Sequence, residues 1–193
     1  MSEPRRCWPT SDALYLAYHD EEWGRPVLDE GGLFERLCLE GFQSGLSWLT
    51  ILRKRENFRA AFAGFDPERV ARFGDRDVKR LLGDEGIVRH RGKIEATIAN
   101  ARGTLALRDE GTTLPELVWS HRPKRPRAPR KMSDWASSTP ESVALSKALK
   151  RAGFRFVGPT TVYAAMQECG VVNDHLTTCF VRGEVEAAIR AAT

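Results

Sequence analysis

Gly83-Asp84-Glu85-Gly86-Ile87-Val88-Arg89-His90-Arg91-Gly92-Lys93 is a glycine-bracketed turn that enters a helix with cations at its mouth. Glycine lets a backbone approach closely, the first amides of a helix are unsatisfied donors, and Arg91 or Lys93 adds charge attraction. Such a hairpin grips a phosphate backbone without reading sequence. An ordinary helix-to-helix connection with solvated basic residues fits the same spacing, and both readings stay open on the pattern alone.

Outward from this turn the chain reads as helix after helix. Asp12 caps a segment from Ala13 to Glu22, and Asp29 caps another through Leu39, with Leu33, Phe34, Leu37 and Cys38 on one face. Asp66-Pro67 is an N-cap followed by proline at the first helical position, closed by Gly74, and a further helix runs from Asp75 to Leu82. Ile94, Ile98, Ala101 and Leu105 form an apolar stripe. Ser138 with Glu141 resembles a capping box ahead of Leu145 and Leu149, and Pro159 to Glu168 ends at Gly170. No alternating strand pattern of useful length interrupts the series, so the fold class is all-α.

The 193 residues suffice for one compact domain with a single core. Uninterrupted apolar runs such as Val162 to Met166 are too short to cross a bilayer, and the N-terminal Met1-Ser2-Glu3-Pro4-Arg5-Arg6 has no apolar stretch behind its charges. A cytoplasmic protein without membrane contact is expected. The net charge of +4 permits a polyanionic partner without demonstrating one. His121 to Lys131 concentrates six Lys and Arg with three prolines and no acid, which reads as an extended, solvated and mobile loop.

Leu39-Glu40-Gly41-Phe42-Gln43-Ser44-Gly45-Leu46-Ser47-Trp48 places one carboxylate among apolar and aromatic neighbours before a glycine turn. An uncompensated buried carboxylate is costly, so Glu40 is either satisfied internally or kept for a ligand. Trp8, Tyr15, Tyr18, Trp23, Phe42 and Trp48 crowd the same quarter of the chain. Taken alone they are hydrophobic core. Set beside Glu40, they suit a pocket that stacks a planar, electron-poor ring while the carboxylate meets its polar edge, and an everted nucleobase is such a ligand.

His175 and Cys179 lie one helical turn apart, and Cys7 and His19 could complete a tetrahedral set for Zn²⁺ with no open position, hence structural. The alternative is a buried His175 beside an incidental Cys179. Cys38 and Cys169 sit at apolar positions, as small buried thiols do.

These residues resemble the DNA-3-methyladenine glycosylase I family of bacterial base-excision repair. The resemblance covers nearly the whole chain and rests on ordered blocks. They include Leu14-Tyr15-Leu16-Ala17-Tyr18-His19-Asp20, Glu22-Trp23-Gly24, Leu39 to Trp48, Gly86 to Ile94, Leu145 to Lys150, Gly153-Phe154-Arg155-Phe156-Val157-Gly158 and Val172-Asn173-Asp174-His175. It implies one all-α domain over 1–193 of the helix-hairpin-helix glycosylase type, with the hairpin at 83–93 and chain ends joined by a structural zinc. The implied base pocket is Trp8, Tyr15, Tyr18, Glu40 and Trp48, with Glu40 also the catalytic residue. The turn Gln43, Ser44, Gly45 and Leu46 would wedge the duplex, Gly86, His90, Arg91, Gly92 and Lys93 would hold its backbone, and Cys7, His19, His175 and Cys179 would bind one zinc ion.

In the family pattern a glycine separates the cysteine from the tryptophan, whereas here Cys7 and Trp8 are adjacent. The shorter link bears on the position of Cys7 relative to His19 and on the placement of Trp8, and its effect stays open on the sequence. The implied reaction is hydrolysis of the N-glycosidic bond of 3-methyladenine in double-stranded DNA by a monomer, without lyase activity. An ionised Glu40 would serve in recognition and electrostatics rather than as general acid. A damaged-DNA-binding zinc module that cuts nothing, and a zinc-dependent hydrolase, are the alternatives.

Overall fold

A computed structural model describes residues 5–125 and 127–192; the first four residues, Pro126 of the Pro/Arg segment and Thr193 lie outside the described residues. Those described are all helix, turn and loop, without a strand. Helix α1 (Ala13–Ala17) continues into a π turn (Tyr18–Glu22), followed by α2 (Glu30–Gln43), α3 (Trp48–Ala61), α4 (Pro67–Val70) and α5 (Asp75–Gly83). The long α6 (Arg91–Asp109) leads to α7 (Leu114–Ser120), α8 (Pro140–Arg151), α9 (Pro159–Glu168) and α10 (Arg182–Ala192). No described helix is long and apolar enough to cross a membrane.

Local chemistry sets most of the boundaries. The Asp12 carboxylate accepts from the Tyr15 amide, Asp29 from Gly32, Ser47 from Thr50, and Asp66 from Glu68 and Arg69. Helix α8 begins one residue later than the sequence pattern predicts, because Thr139 and Ser142, not Ser138 and Glu141, exchange the capping bonds. Helix α2 runs through Glu40 and Gly41 to Gln43, since Leu37, Leu39 and Phe42 all find core partners.

Two apolar clusters result. The larger packs α2, α6 and α9 around Phe34, Phe42, Phe58, Ile94, Leu145 and Tyr163. The smaller gathers Cys7, Tyr18, Trp23, Leu52, Leu176, Cys179 and Val181, with Trp8, Tyr15, Trp48 and Trp135 against it. Both chain ends meet in this second cluster. Gly24 permits the closure: its φ is +83°, and a Cβ there would lie 3.1 Å from His175 Nε2.

Candidate active site

The π turn positions one face of the site. Its defining bond runs from the Trp23 amide to the Tyr18 carbonyl at 2.8 Å, and the widened turn carries Tyr18 to a cavity and His19 to the Cys/His cluster behind it. The cavity is about 430 Å³, lined by Trp8, Tyr15, Tyr18, Trp23, Glu40, Gln43, Trp48, Met132, Trp135 and Gln167, among others. All five residues implied for base recognition lie on its wall. The direct Cys7-Trp8 link displaces neither residue from its place, since Cys7 joins the cluster and Trp8 reaches the cavity.

Glu40 is 6% exposed and has neither a hydrogen bond nor an ion pair among the described residues. Burial, reinforced by the charge of Glu168, holds its carboxyl well above the usual carboxylate range. The ionised form expected from sequence is therefore disfavoured until a cation arrives. Two further polar atoms on the wall, the indole nitrogens Nε1 of Trp8 and Trp48, are buried without a partner. Buried polar groups are normally paired, so three unpaired ones around a single cavity make a recognition surface for a polar, planar ligand. Tyr18 and Trp48 lie 5.5 Å apart between ring centroids, tilted by 46°, and Tyr15 stacks on Tyr18 at 6.1 Å.

Behind Glu40 the acids face arginines, although Glu168 Oε2 is buried without a hydrogen-bond partner. Arg36 faces the buried Glu168 at 3.7 Å, Arg55 grips Glu22 through two bonds of 2.5 and 2.8 Å, and Arg59 holds Glu35. Glu168 itself is raised by burial against the pull of Arg36 and Arg55. The sequence reading singled out neither Glu168 nor Arg36, because both are ordinary helix-face charges until the fold brings them together.

Cys7, His19, His175 and Cys179 present four ligand atoms within 4.8 Å of one another, all buried. Cys7 Sγ lies 3.3 Å from His175 Nδ1, and Cys179 Sγ lies 3.4 Å from the same nitrogen and 3.5 Å from His19 Nε2. Bond lengths of about 2.3 Å to sulfur and 2.0–2.1 Å to nitrogen set tetrahedral edges of roughly 3.3–3.8 Å, so the residues fit a zinc ion. The outer nitrogens are fixed as well: His19 Nδ1 is 2.7 Å from Asp20 Oδ1, and His175 Nε2 is 2.9 Å from the Trp23 carbonyl. The contact between the sulfurs raises the Cys7 thiol and lowers that of Cys179.

The Gln43–Leu46 turn projects from the cavity edge. Gly45 adopts φ +83° with nothing around it, Leu46 is 41% exposed, and the Leu46 amide donates to the Gln43 carbonyl at 2.7 Å. Two helix-to-helix turns flank it. In the first, residues 84–90 leading into α6, the arginines form exposed surface pairs and His90 caps the helix. Arg91 pairs with Glu95 at 3.3 Å, Arg89 with Glu85 at 3.4 Å, and the His90 ring accepts the Lys93 amide. Lys93 corrects the sequence reading most plainly. Its ammonium turns inward and donates to the Phe42 and Ser44 carbonyls at 2.8 and 2.6 Å, so it braces the projecting turn instead of facing solvent.

The second turn joins α8 to α9, with Gly153 at φ +88° and Phe156 at φ +55°. Asn100 accepts the Arg155 amide at 2.7 Å and donates to its carbonyl, and Ser146 donates to the Val157 carbonyl, so this backbone is held from inside. Helix α9 starts at Pro159 with no side chain capping its first amides.

The Pro/Arg segment also departs from expectation. Among its described residues Pro129 is buried, its carbonyl accepts the Thr177 amide at 2.8 Å, and Arg127 donates to the Asp134 carbonyl and the Tyr163 hydroxyl. Arg182 donates to the Arg127 carbonyl. A free loop was predicted because proline and like charge give no local reason to dock, whereas the ties come from residues distant in sequence. The segment then delivers Met132 and Trp135 to the cavity wall, with Trp135 Nε1 bonded to the Asp174 carbonyl.

A family model described as methyladenine glycosylase matches residues 8–182. DNA-3-methyladenine glycosylase 1 of Escherichia coli K12 is 53% identical over 178 residues, covering 90% of this chain and 95% of that protein. A crystal structure of 3-methyladenine DNA glycosylase I superposes with a TM-score of 0.88 at 52% identity, over 91% of this chain and 98% of that one. Another, of a variant of 3-methyladenine DNA glycosylase I in complex with 3-methyladenine, gives 0.86 at 38% identity, over 90% and 94%.

Proposed function

Because the chain belongs to the methyladenine glycosylase family, we propose that it hydrolyses the N-glycosidic bond of 3-methyladenine in double-stranded DNA, leaving an abasic site. The observation that carries this reading is the unpaired Glu40 carboxyl on an aromatic wall. Methylation at N3 makes adenine cationic within DNA. A cation entering the cavity stabilises ionised Glu40, and the indole and phenol faces of Trp48 and Tyr18 attract an electron-poor ring. Neutral adenine gains neither contribution in full.

A cationic base leaves without being protonated, which relieves the site of the general acid that ordinary glycoside hydrolysis requires. Glu40 acts electrostatically, while water attacks the sugar carbon as the bond breaks. No lysine lines the cavity among the described residues, which supports hydrolysis without a covalent intermediate.

The nucleotide reaches the pocket by leaving the stack, and the Gln43–Leu46 turn, with exposed Leu46, occupies the gap. Backbone contact is better supported at the α8–α9 turn, whose following helix is uncapped, than at residues 84–90. The Cys/His cluster holds one structural Zn²⁺ in our reading, joining the chain ends, and the protein acts as a cytoplasmic monomer.

A base-release assay on methylated DNA tests this directly. The wild type should release 3-methyladenine, and Glu40→Gln should lose about 10²–10³-fold in rate. Undiminished release by the variant would remove Glu40 from the chemistry. Tight binding by the wild type with no free base would favour a damage-binding module instead.

A further inference from the structure

The four cations Lys124, Arg125, Arg130 and Lys131 are exposed, and their side chains form no ion pair among the described residues. Some arginines elsewhere are matched, as with Arg6 and Asp20, Arg53 and Asp12, or Arg108 with Glu30 and Glu68, while exposed Arg76, Lys79, Lys147 and Arg151 form no ion pair among the described residues either. Asp134 moderates the charge of the segment: its Oδ2 accepts the backbone amides of Arg130 and Lys131 at 2.9 and 3.2 Å, and these bonds, with the nearby Lys131 and Arg130 charges, hold its carboxyl below the usual carboxylate range. Glu141 shares a groove with Lys124 and Arg125 and is the second carboxylate in reach. The excess therefore stays positive.

Position gives that charge a use. Arg130 and Lys131 immediately precede Met132, a residue of the cavity wall, and the Thr177, Arg182 and Asp134 contacts fix the backbone that carries them. Repelling cations held in a tethered strap lose little conformational freedom when an anion arrives. A nucleotide that enters the cavity keeps its phosphates at the mouth.

We propose that the strap of residues 127–131, with Arg130 and Lys131 as its principal contacts, is a phosphate-binding surface for the DNA strand that carries the flipped nucleotide, and that Lys124 and Arg125 extend it along the backbone. The inference rests on the reading of the cavity as a nucleobase pocket. It adds a contact surface to the two turns beside Gln43–Leu46 and explains why a basic segment far from them in sequence is docked rather than loose.

The test compares wild type with the double variant Arg130→Gln/Lys131→Gln and with a quadruple variant that adds Lys124→Gln and Arg125→Gln. Binding to a duplex containing a reduced abasic site is followed by fluorescence anisotropy from 50 to 300 mM salt, about 0.9 of slope in log K against log salt being expected per phosphate contact. The slope should decrease by about 2 in the double variant and by about 3–4 in the quadruple, with roughly ten- to hundredfold weaker binding at 0.1 M salt. Thermal midpoints and binding of free 3-methyladenine should be unchanged, since the four side chains are exposed and none of them lines the cavity. An unchanged salt slope overturns the strap. If the slope falls as stated while the wild type releases no base from methylated DNA, the strap stands and the glycosylase reading fails.

Discussion

The aromatic cavity and the Cys/His cluster lie back to back on the same π turn, yet they treat polar groups in opposite ways. In the cluster every imidazole nitrogen has a neighbour: a sulfur inside, or Asp20 and the Trp23 carbonyl outside. In the cavity Glu40 and two indole N–H groups have none. A fully matched set of groups contributes to folding, and an unmatched set lowers stability in exchange for affinity toward something else. The two regions should therefore respond to substitution with opposite signs.

The largest effect is expected in the cluster. Cys179→Ser, or chelation of the protein as purified, should lower the thermal midpoint by roughly 10 °C or more, because loss of a metal site belongs to the class that costs about 4 kcal/mol or above. Turnover and fold should be lost together. Loss of turnover with the fold intact would make the ion catalytic and dissolve the contrast. Metal analysis of the variant supplies a second check, since full zinc content in Cys179→Ser would remove that residue from the ligand set.

In the cavity the sign reverses. Glu40→Gln should reduce base release by two to three orders of magnitude while raising the thermal midpoint at neutral pH by a few degrees, roughly 2–4 °C per kcal/mol recovered. The cause is the raised carboxyl of Glu40. The fold binds its proton more tightly than the unfolded chain does, so stability falls as pH rises from the ordinary carboxylate range toward the raised value. This pH-dependent loss should disappear in the variant. A variant as stable as wild type at every pH would mean that Glu40 is compensated after all.

Smaller effects separate the basic residues of the 83–93 turn. Lys93→Met leaves the Phe42 and Ser44 carbonyls without their donor and should cost about 1–3 kcal/mol in urea unfolding, with weakened activity as the projecting turn loosens. Arg91→Ala, at an exposed ion pair, should stay within about 0.5 kcal/mol. Equal costs for the two would contradict the inward orientation of Lys93.

The same contrast explains what could be read from the residues alone. Caps at Asp12 and Asp66 were legible because a side chain and an amide two or three positions away decide them. The aromatic residues around Glu40 were legible as a group, since they occupy one quarter of the chain, and the chain ends could be paired through the resemblance. Trp135, Met132 and Glu168 were not legible. Each acquires its role through contacts with residues far away in sequence, and no local period announces them. Lys93 misled for a related reason: next to a glycine turn a lysine reads as a surface cation, and only the carbonyls at the end of α2 turn it inward. Helices α3, α7 and α10 also went unread, since α3 in particular mixes charges and apolar residues around its circumference and takes its stability from packing.

The central claim is that Glu40 waits unpaired for a positive ring. A ¹³C NMR titration of the Glu40 carboxyl, assigned through Glu40→Gln, measures this in the free protein and with the 3,9-dimethyladeninium cation added, whose substituted N9 keeps the ring positive as the glycosidic bond does. The account predicts titration above the ordinary carboxylate range in the free protein and a downward shift on binding; an ordinary value unchanged by ligand would contradict it.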